Sequence, residues 1–461
     1  MRLAELRALV QEEGIGWLEL RAVDLAGRLR SLELPAGALS ERLLSAGVGV
    51  DASNYGLVPT EESDLVLLPD PTAAWVDRGR RPPALVMLCD LARPGEGLHP
   101  LAPRSVARRT QALLAELGIA DEARFGVELE FYLFDSLLVS DSPLRQGVEV
   151  VPWEGAPGWG EPALPRPRTA YHAGGVEDRG RGVRQRACEL LASWGIPVRY
   201  HHHEVGSLGQ MEVELGLGPL LAAADWTVVA MDLIRRVAEE EGLVACFLPK
   251  PLPGQPGNGL HFHQLLLRGE ENLFGGEEGL SELALHYVGG ILKHGRALSA
   301  LVSPSTNSYR RLRPEFEAPV HLAFGAANRT AAVRVPGYLA PGSARIEYRP
   351  PDPSCNPYLA LSACLLAGLD GIRNEVDPVA KGWGPWDTSL YRLPPGKRRR
   401  IGALPSSLPE ALDALERDHA FLTLGGAFPE ELVELWLAAK RAEVAELAAR
   451  PHPYEFLLYG P

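Results

Sequence analysis

The chain has 461 residues, enough for two or three domains or for one large domain with a small companion. It is 46% hydrophobic and 23% charged, as globular proteins are, and its net charge of −13 argues against nucleic acid as the main partner. Five scattered cysteines with no C-x-x-C pair suggest reduced thiols in a cytoplasmic protein, and the lack of any 18-residue apolar run argues against a membrane span.

The first residues, up to Trp17, read as an amphipathic helix without the apolar centre of a secretory signal. Two strand-like runs, 16–24 and 28–34, flank an Ala26-Gly27 turn and predict a hairpin. With further β-like runs at 64–70 and 84–90 they make a small unit over residues 1–100. The Pro/Gly-rich stretch 93–103 predicts the boundary to a second domain over residues 103–461. There, residues 104–117 carry helical periodicity and stop at Gly118, a residue suited to ending a helix. The Pro/Gly-rich stretch 152–167 predicts a long surface loop. Helical periodicity returns over 184–194, 220–241, 280–301 and 357–376. Residues 408–449 read as two or three helices, followed by an apolar tail.

Between these helices lie four short strand-like runs with an inverted alternation. They carry Glu128 and Glu130; His203, Glu204, Glu212 and Glu214; His261 and His263; and Arg345, Glu347 and Arg349. Residues two apart on a strand share a face, so one sheet would bring these groups to one cavity. Buried carboxylates are costly unless paired or bound to metal, and several of them with one imidazole suit Mg²⁺ or Mn²⁺. A single such strand is more often a solvated face; four together are not. Glu214 is read as an outward residue or as support behind the site. Of His201, His202 and His203, at most one can help Glu204, because consecutive strand residues alternate. His261 and His263 follow Gly257-Asn-Gly259, where the backbone is open to a ligand. Arg311, Arg329, Arg334, Arg345 and Arg349 supply guanidinium forks for carboxylates and phosphates, about half of them expected to be structural ion pairs. Metals with arginines point to phosphoryl transfer, and without a Walker A sequence the nucleotide needs a fold other than a P-loop.

At this point the chain resembles the glutamine synthetase family, bacterial type I. The resemblance covers nearly the whole sequence and rests on Asp51-Ala-Ser, Phe125-Gly-Val-Glu-Leu-Glu-Phe, His201-His-His-Glu-Val, Gly209-Gln-Met-Glu, Gly257-Asn-Gly-Leu-His-Phe-His, Asn307-Ser-Tyr-Arg-Arg-Leu, Glu317-Ala-Pro-Val, Ala327-Asn-Arg-Thr and Ala344-Arg-Ile-Glu-Tyr-Arg-Pro. It implies an α+β protein: an N-terminal β-grasp domain and a large catalytic domain, a twisted antiparallel sheet flanked by helices. It also implies a dodecamer of two hexameric rings with active sites between subunits, and a C-terminal tail that reaches the opposing ring.

By the same resemblance Glu130, Glu204 and Glu212 would hold one Mg²⁺ or Mn²⁺, and Glu128, His261 and Glu347 a second. Gly257, Arg311 and Arg349 would bind glutamate; His263, Arg334 and Arg345 the ATP phosphates; and Arg329 the phosphoryl group in transfer. Asp51 of a neighbouring subunit would bind and deprotonate ammonium, and Glu317 would sit on a flap over the intermediate. The implied reaction joins glutamate to ammonia through a γ-glutamyl phosphate.

The sequence departs from the family at Gln255-Pro256-Gly257-Asn258-Gly259, where an Asn usually precedes the first Gly, and at Leu217, Leu265 and Gly342 around the nucleotide. Those departures resemble relatives that use an organic amine, of polyamine or ethanolamine type, while Asp51 and Glu317 favour ammonia. A catalytically weak structural paralogue is the third reading. Tyr391 aligns with a tyrosine that some members adenylylate, in altered surroundings that suit a plain surface residue.

Overall fold

The structure is a computed structural model that describes residues 1–142, 144–155, 170–277, 279–316, 318–337, 342–398 and 401–459. Most of the 152–167 loop, and Glu317, lie outside the described residues.

After helix α1 (Leu3–Glu12), an N-terminal sheet is built from β1 (Trp17–Val23), β2 (Leu29–Pro35), β3 (Val48–Asp51), β4 (Asp64–Asp77) and β5 (Ala84–Arg93). Its order is β2-β1-β5-β4-β3, with β1 and β5 parallel at the centre and the other pairs antiparallel. The predicted hairpin is present, Leu18 opposite Leu34, and Gly27 turns it with φ +85°, a conformation favoured by glycine. Strand β4 runs beyond the predicted 64–70 to Asp77, and its register shifts between Pro69 and Ala74, as expected where prolines cannot donate to a ladder.

Helix α2 (Pro103–Glu116) begins with Pro at its first turn and is followed by Gly118 at φ +65°, the predicted start and stop. A second sheet follows, from β6 (Glu122–Ser142), β7 (Val198–His203), β8 (Gln210–Leu215), β9 (Leu260–Arg268), β10 (His321–Ala326), β11 (Ala331–Val335) and β12 (Ile346–Tyr348). Along its main path the order is β10-β11-β12-β9-β6-β8-β7, antiparallel except for β10 with β11. Behind it lie α3 (Leu220–Glu240), α4 (Glu282–Val302) and α5 (Pro357–Arg373). Outside these are α6 (Leu408–Arg417) and α7 (Glu430–Ala448), and then the short α8 (Pro453–Tyr459).

Helices α4 and α5 meet backbone to backbone. A Cβ on Gly290 would lie 2.0 Å from the Ala367 carbonyl oxygen, and one on Gly371 2.2 Å from that of His286. This contact brings an apolar layer close under the sheet. One core of buried residues runs from Leu18 and Leu85 in the first sheet through Leu129 and Phe262 in the second to Leu361 in α5. The first sheet is fixed to the second unit by polar contacts as well. Asn356 Nδ2 donates to the carbonyls of Asp24 and Leu25, both at 3.1 Å.

Candidate active site

The ladder registers decide which side chains meet. His261 is opposite Glu128 and His263 opposite Glu347. Glu212 is opposite Glu130 and Glu214 opposite Glu128, and on the outer side His202 is opposite Glu212. Directly opposed residues project from the same face of a sheet, so these residues share one face, as their alternation predicts; His203, opposite Met211, instead points to the other face, where its Nε2 lies 2.7 Å from Glu154. Glu128, Glu130, Glu204, Glu212 and His261 line a cavity of about 970 Å³, whose walls also include Gly257, Arg329, Arg334 and Arg349.

One half of the site is electrically balanced by the protein. Glu128 accepts from His261 Nδ1 at 2.7 Å and from His263 Nε2 at 2.8 Å. Burial alone would raise its pKa, but the two imidazoles outweigh it and hold the carboxyl well below the usual range. Glu347 is ion-paired with both Arg334 and Arg349. Burial again opposes ionisation there, Arg349 outweighs it, and the pKa falls to about 2. Arg345 Nε donates to His263 Nδ1 at 3.2 Å, so it reaches the site through that imidazole and does not line the cavity itself.

The other half carries excess negative charge. Burial, followed by repulsion from Glu212 and Glu130, pushes the Glu204 carboxyl up. Burial and repulsion from Glu128 and Glu130 do the same to Glu212. Glu204 accepts the Val205 N–H at 2.7 Å, and Glu212 faces His202 Nε2 at 3.1 Å. Carboxylates whose ionisation is disfavoured until a cation arrives, gathered with imidazoles, are the donor set of a hard divalent ion. Among the described residues three groups have donor atoms within 4.8 Å of one another: Glu128, His261 and Glu347; Glu128, Glu214 and His263; and His202, Glu204 and Glu212, the last with His202 where the resemblance implies Glu130. Glu130 borders this last group, where it accepts from Gly259 N at 2.7 Å and Gln210 Nε2 at 3.4 Å.

Glycines let the 254–259 loop close on these groups. A Cβ on Gly257 would meet the Pro249 carbonyl oxygen at 2.4 Å, and one on Gly259 would meet His261 Nε2 at 2.5 Å. Asn258 anchors the loop by donating to the carbonyls of Leu248 at 2.9 Å and Cys246 at 3.2 Å. Arg311 is largely engaged with backbone, donating to the carbonyls of Pro350 at 2.8 Å, Pro351 at 3.2 Å and Arg349 at 3.1 Å. It borders a side pocket of about 50 Å³ with Lys250, Gly257 and Glu315.

Asp51 is exposed at the end of β3, accepts the Ser53 N–H at 2.9 Å, and does not line the cavity of its own chain. Glu317 lies outside the described residues; its neighbours Glu315 and Phe316 line the cavity. Glu214 points inward and is buried, ion-paired with Arg199 and 3.8 Å from His263 Nε2, which corrects the outward reading. Tyr391 is half-buried, its hydroxyl donating to the Ala318 carbonyl, so it is not a plain surface residue.

Sequence reasoning passed over Tyr171, Gln210 and Lys250, which border the cavity or its side pocket. It also left His202 unassigned. The signal for His202 was present, since it stands two residues before Glu204. Tyr171 and Lys250 lie outside the alternating strands and had no comparable signal.

Comparison with known proteins agrees with this geometry. Residues 14–94 match the description "Glutamine synthetase, beta-Grasp domain" and residues 100–459 match "Glutamine synthetase, catalytic domain". The chain is 40% identical over 466 residues to a glutamine synthetase of Aquifex aeolicus, covering 99% of this chain and 98% of that one. The solved structure of Plasmodium falciparum glutamine synthetase superposes with a TM-score of 0.89 at 26% identity, over 100% of this chain and 99% of the other. A structure described as apo GmaS without ligand gives 0.81 at 28% identity, over 98% of each chain. With both regions matched and a relative this similar along its whole length, the chain belongs to the glutamine synthetase family.

Proposed function

We propose that the cavity joins glutamate to ammonia at the expense of ATP, forming glutamine through a γ-glutamyl phosphate. The observation that carries this reading is the convergence at a single cavity of Glu128, Glu130, Glu204, Glu212, His261, Arg329, Arg334 and Arg349, with Glu347 and His263 directly behind them. The similarity to glutamine synthetases over the whole chain supports it. The division into a domain at 1–100 and another at 103–461 belongs to the same reading.

Glu130, Glu204 and Glu212 hold one divalent cation, and Glu128, His261 and Glu347 the other. Bound there, Mg²⁺ or Mn²⁺ supplies Lewis-acid neutralisation of phosphate charge. Arg334 faces the ATP phosphates, with His263 and Arg345 acting from behind the cavity wall, and Arg329 stabilises the phosphoryl group as it moves to the side-chain carboxylate of glutamate. Arg349 and Gly257 position glutamate. Arg311 acts there chiefly by holding the 349–351 backbone, because most of its donors are spent on carbonyls. Asp51 of an adjacent subunit draws in ammonium and takes its proton, and Glu317 closes the site against water.

A second reading replaces ammonia with an organic amine. Pro256, which lines the cavity, favours it because proline offers no donor where the family usually has an amide side chain. The similarity to GmaS is compatible with it. The six candidate metal ligands are retained, which weighs against a merely structural paralogue.

The test is phosphate release from ATP, dependent on glutamate and on Mg²⁺ or Mn²⁺, across ammonium and a panel of amines. Turnover with ammonium, with glutamine as product, supports the first reading. A strong preference for one amine moves the assignment to the second. A folded protein without turnover on any acceptor overturns both.

A further inference from the structure

We infer that His202 is a ligand of the cation held by Glu204 and Glu212, giving that site an imidazole donor and a preference for Mn²⁺ over Mg²⁺. The inference rests on the reading that this cavity binds divalent cations.

Four observations converge on His202. Its Nε2 lies 3.1 Å from Glu212 Oε1, and donor atoms of His202, Glu204 and Glu212 lie within 4.8 Å of one another. Its Nδ1 lies 3.0 Å from the His203 carbonyl oxygen, which can only accept. That contact occupies Nδ1 and leaves Nε2 as the ring nitrogen facing Glu212. A ring whose second nitrogen is tied to a backbone carbonyl is the usual arrangement of a metal-bound histidine. The 3.1 Å between Nε2 and Glu212 Oε1 is also the spacing of two ligands on one cation. Ligands adjacent on an octahedral ion with bonds of about 2.1 Å stand about 3 Å apart.

The third observation is the isolation of Glu212. It is 5% exposed, and among the described residues its carboxylate is given no hydrogen bond by backbone N–H, hydroxyl or arginine; its close polar neighbour is His202. Arg334 and Arg349 pair instead with Glu347. Finally, the imidazole is fixed from several sides. It meets His172 edge-on at 4.5 Å and Tyr171 at 5.1 Å, with Tyr200 at 5.7 Å. The ring is held in place before any ion binds.

An imidazole changes selectivity. Mg²⁺ prefers oxygen donors and keeps its waters, whereas Mn²⁺ and later metals accept nitrogen readily. The probe is Mn²⁺ alone, read by pulsed EPR for coupling to imidazole nitrogen, and by titration for affinity. His261→Gln removes the imidazole of the other cation group; bound Mn²⁺ in that variant retains nitrogen coupling if His202 is a ligand. The double variant His202→Gln/His261→Gln loses it. His202→Gln alone weakens Mn²⁺ binding roughly tenfold or more at one site and leaves Mg²⁺ binding within about threefold.

Loss of the nitrogen signal in His261→Gln overturns the inference, as does its persistence in the double variant. Unchanged Mn²⁺ affinity in His202→Gln overturns it too, reducing the contact to an ordinary imidazole–carboxylate pair. Failure of the wild-type protein to bind Mn²⁺ sinks the cation reading of the cavity, a result distinct from either.

Discussion

Glu130 and Glu212 face each other across adjacent strands, yet the chain treats them differently. Glu130 is held by the Gly259 N–H and the Gln210 amide, while Glu212 looks onto an imidazole and other carboxylates. A fixed carboxylate keeps its oxygens aimed without help from the ion, which is what a preorganised phosphate-transfer site needs. Glu130→Ala should therefore cut glutamate-dependent phosphate release by about a hundredfold or more, at the scale set by removal of a preorganised electrostatic group. The circular-dichroism spectrum should be unchanged, because the side chain borders a cavity and not the apolar core. Phosphate release equal to the wild type would remove Glu130 from the site. Alternation alone marks Glu128, Glu130, His261 and His263 as sharing a face, since period two needs no knowledge of the fold. Glu204 lies just past a strand end, and it is the 204–210 connection that brings it beside Glu212.

Helices show a different balance between what the chain announces and what it conceals. Pro103 and Gly118 bound α2 in the sequence, and Pro357 opens α5. What α2 does is not periodic. Its buried Arg104 donates to Asp70 at 2.8 Å, Asp90 at 2.9 Å and Asp225 at 2.8 and 3.0 Å, joining the first sheet to α3, while the Tyr358 hydroxyl donates to Asp225 at 2.7 Å. Ion pairs between residues so distant in the chain leave no local pattern, so this hub could not be read from sequence. Arg108 also pairs with Asp70 and Asp90, so Arg104→Met would strand chiefly the buried Asp225 without its cation and should cost about 3 kcal/mol, read as a lower urea midpoint. A midpoint within error of wild type would show the hub to be dispensable. A second junction adds a pH dependence. His294 of α4 lies between Asp370 of α5, at 2.8 Å, and Asp418 after α6, at 2.9 Å, with Lys293 on the same Asp370. Burial opposes its charge, but hydrogen bonds to the two carboxylates outweigh burial and raise its pKa. A raised folded-state pKa stabilises fully below the unfolded value of about 6.5 and fades as pH rises through the folded value. The stability difference between wild type and His294→Gln should therefore shrink as pH climbs above neutrality. A difference that grows with pH would contradict the ion-paired imidazolium.

At the scale of the molecule, the cavity of a single chain is incomplete on the proposed mechanism, because Asp51 stands exposed on the first sheet and away from it. The far end of the chain is also unaccommodated. Helix α8 exposes Phe456, Leu457 and Tyr459 to 69%, 79% and 82%, an apolar end that a lone subunit leaves in water. Both features fit an assembly in which each subunit offers Asp51 to the next, a head-to-tail contact that closes into a ring. The arrangement has a quantitative consequence. On that arrangement Asp51→Ala and Glu130→Ala assemblies should each be inactive, since every site would lack one of its two parts. When the two variants are dissociated and reassembled in equal amounts, a site works only where an intact cavity borders an intact Asp51. Random neighbours in a head-to-tail ring satisfy this at about a quarter of the sites, so about a quarter of wild-type activity should return. If Asp51 served the cavity of its own chain, no pairing could restore activity, and the mixture would stay inactive at every ratio. Recovery that follows the product of the two fractions, greatest at equal amounts, is the signature of sites shared between neighbours.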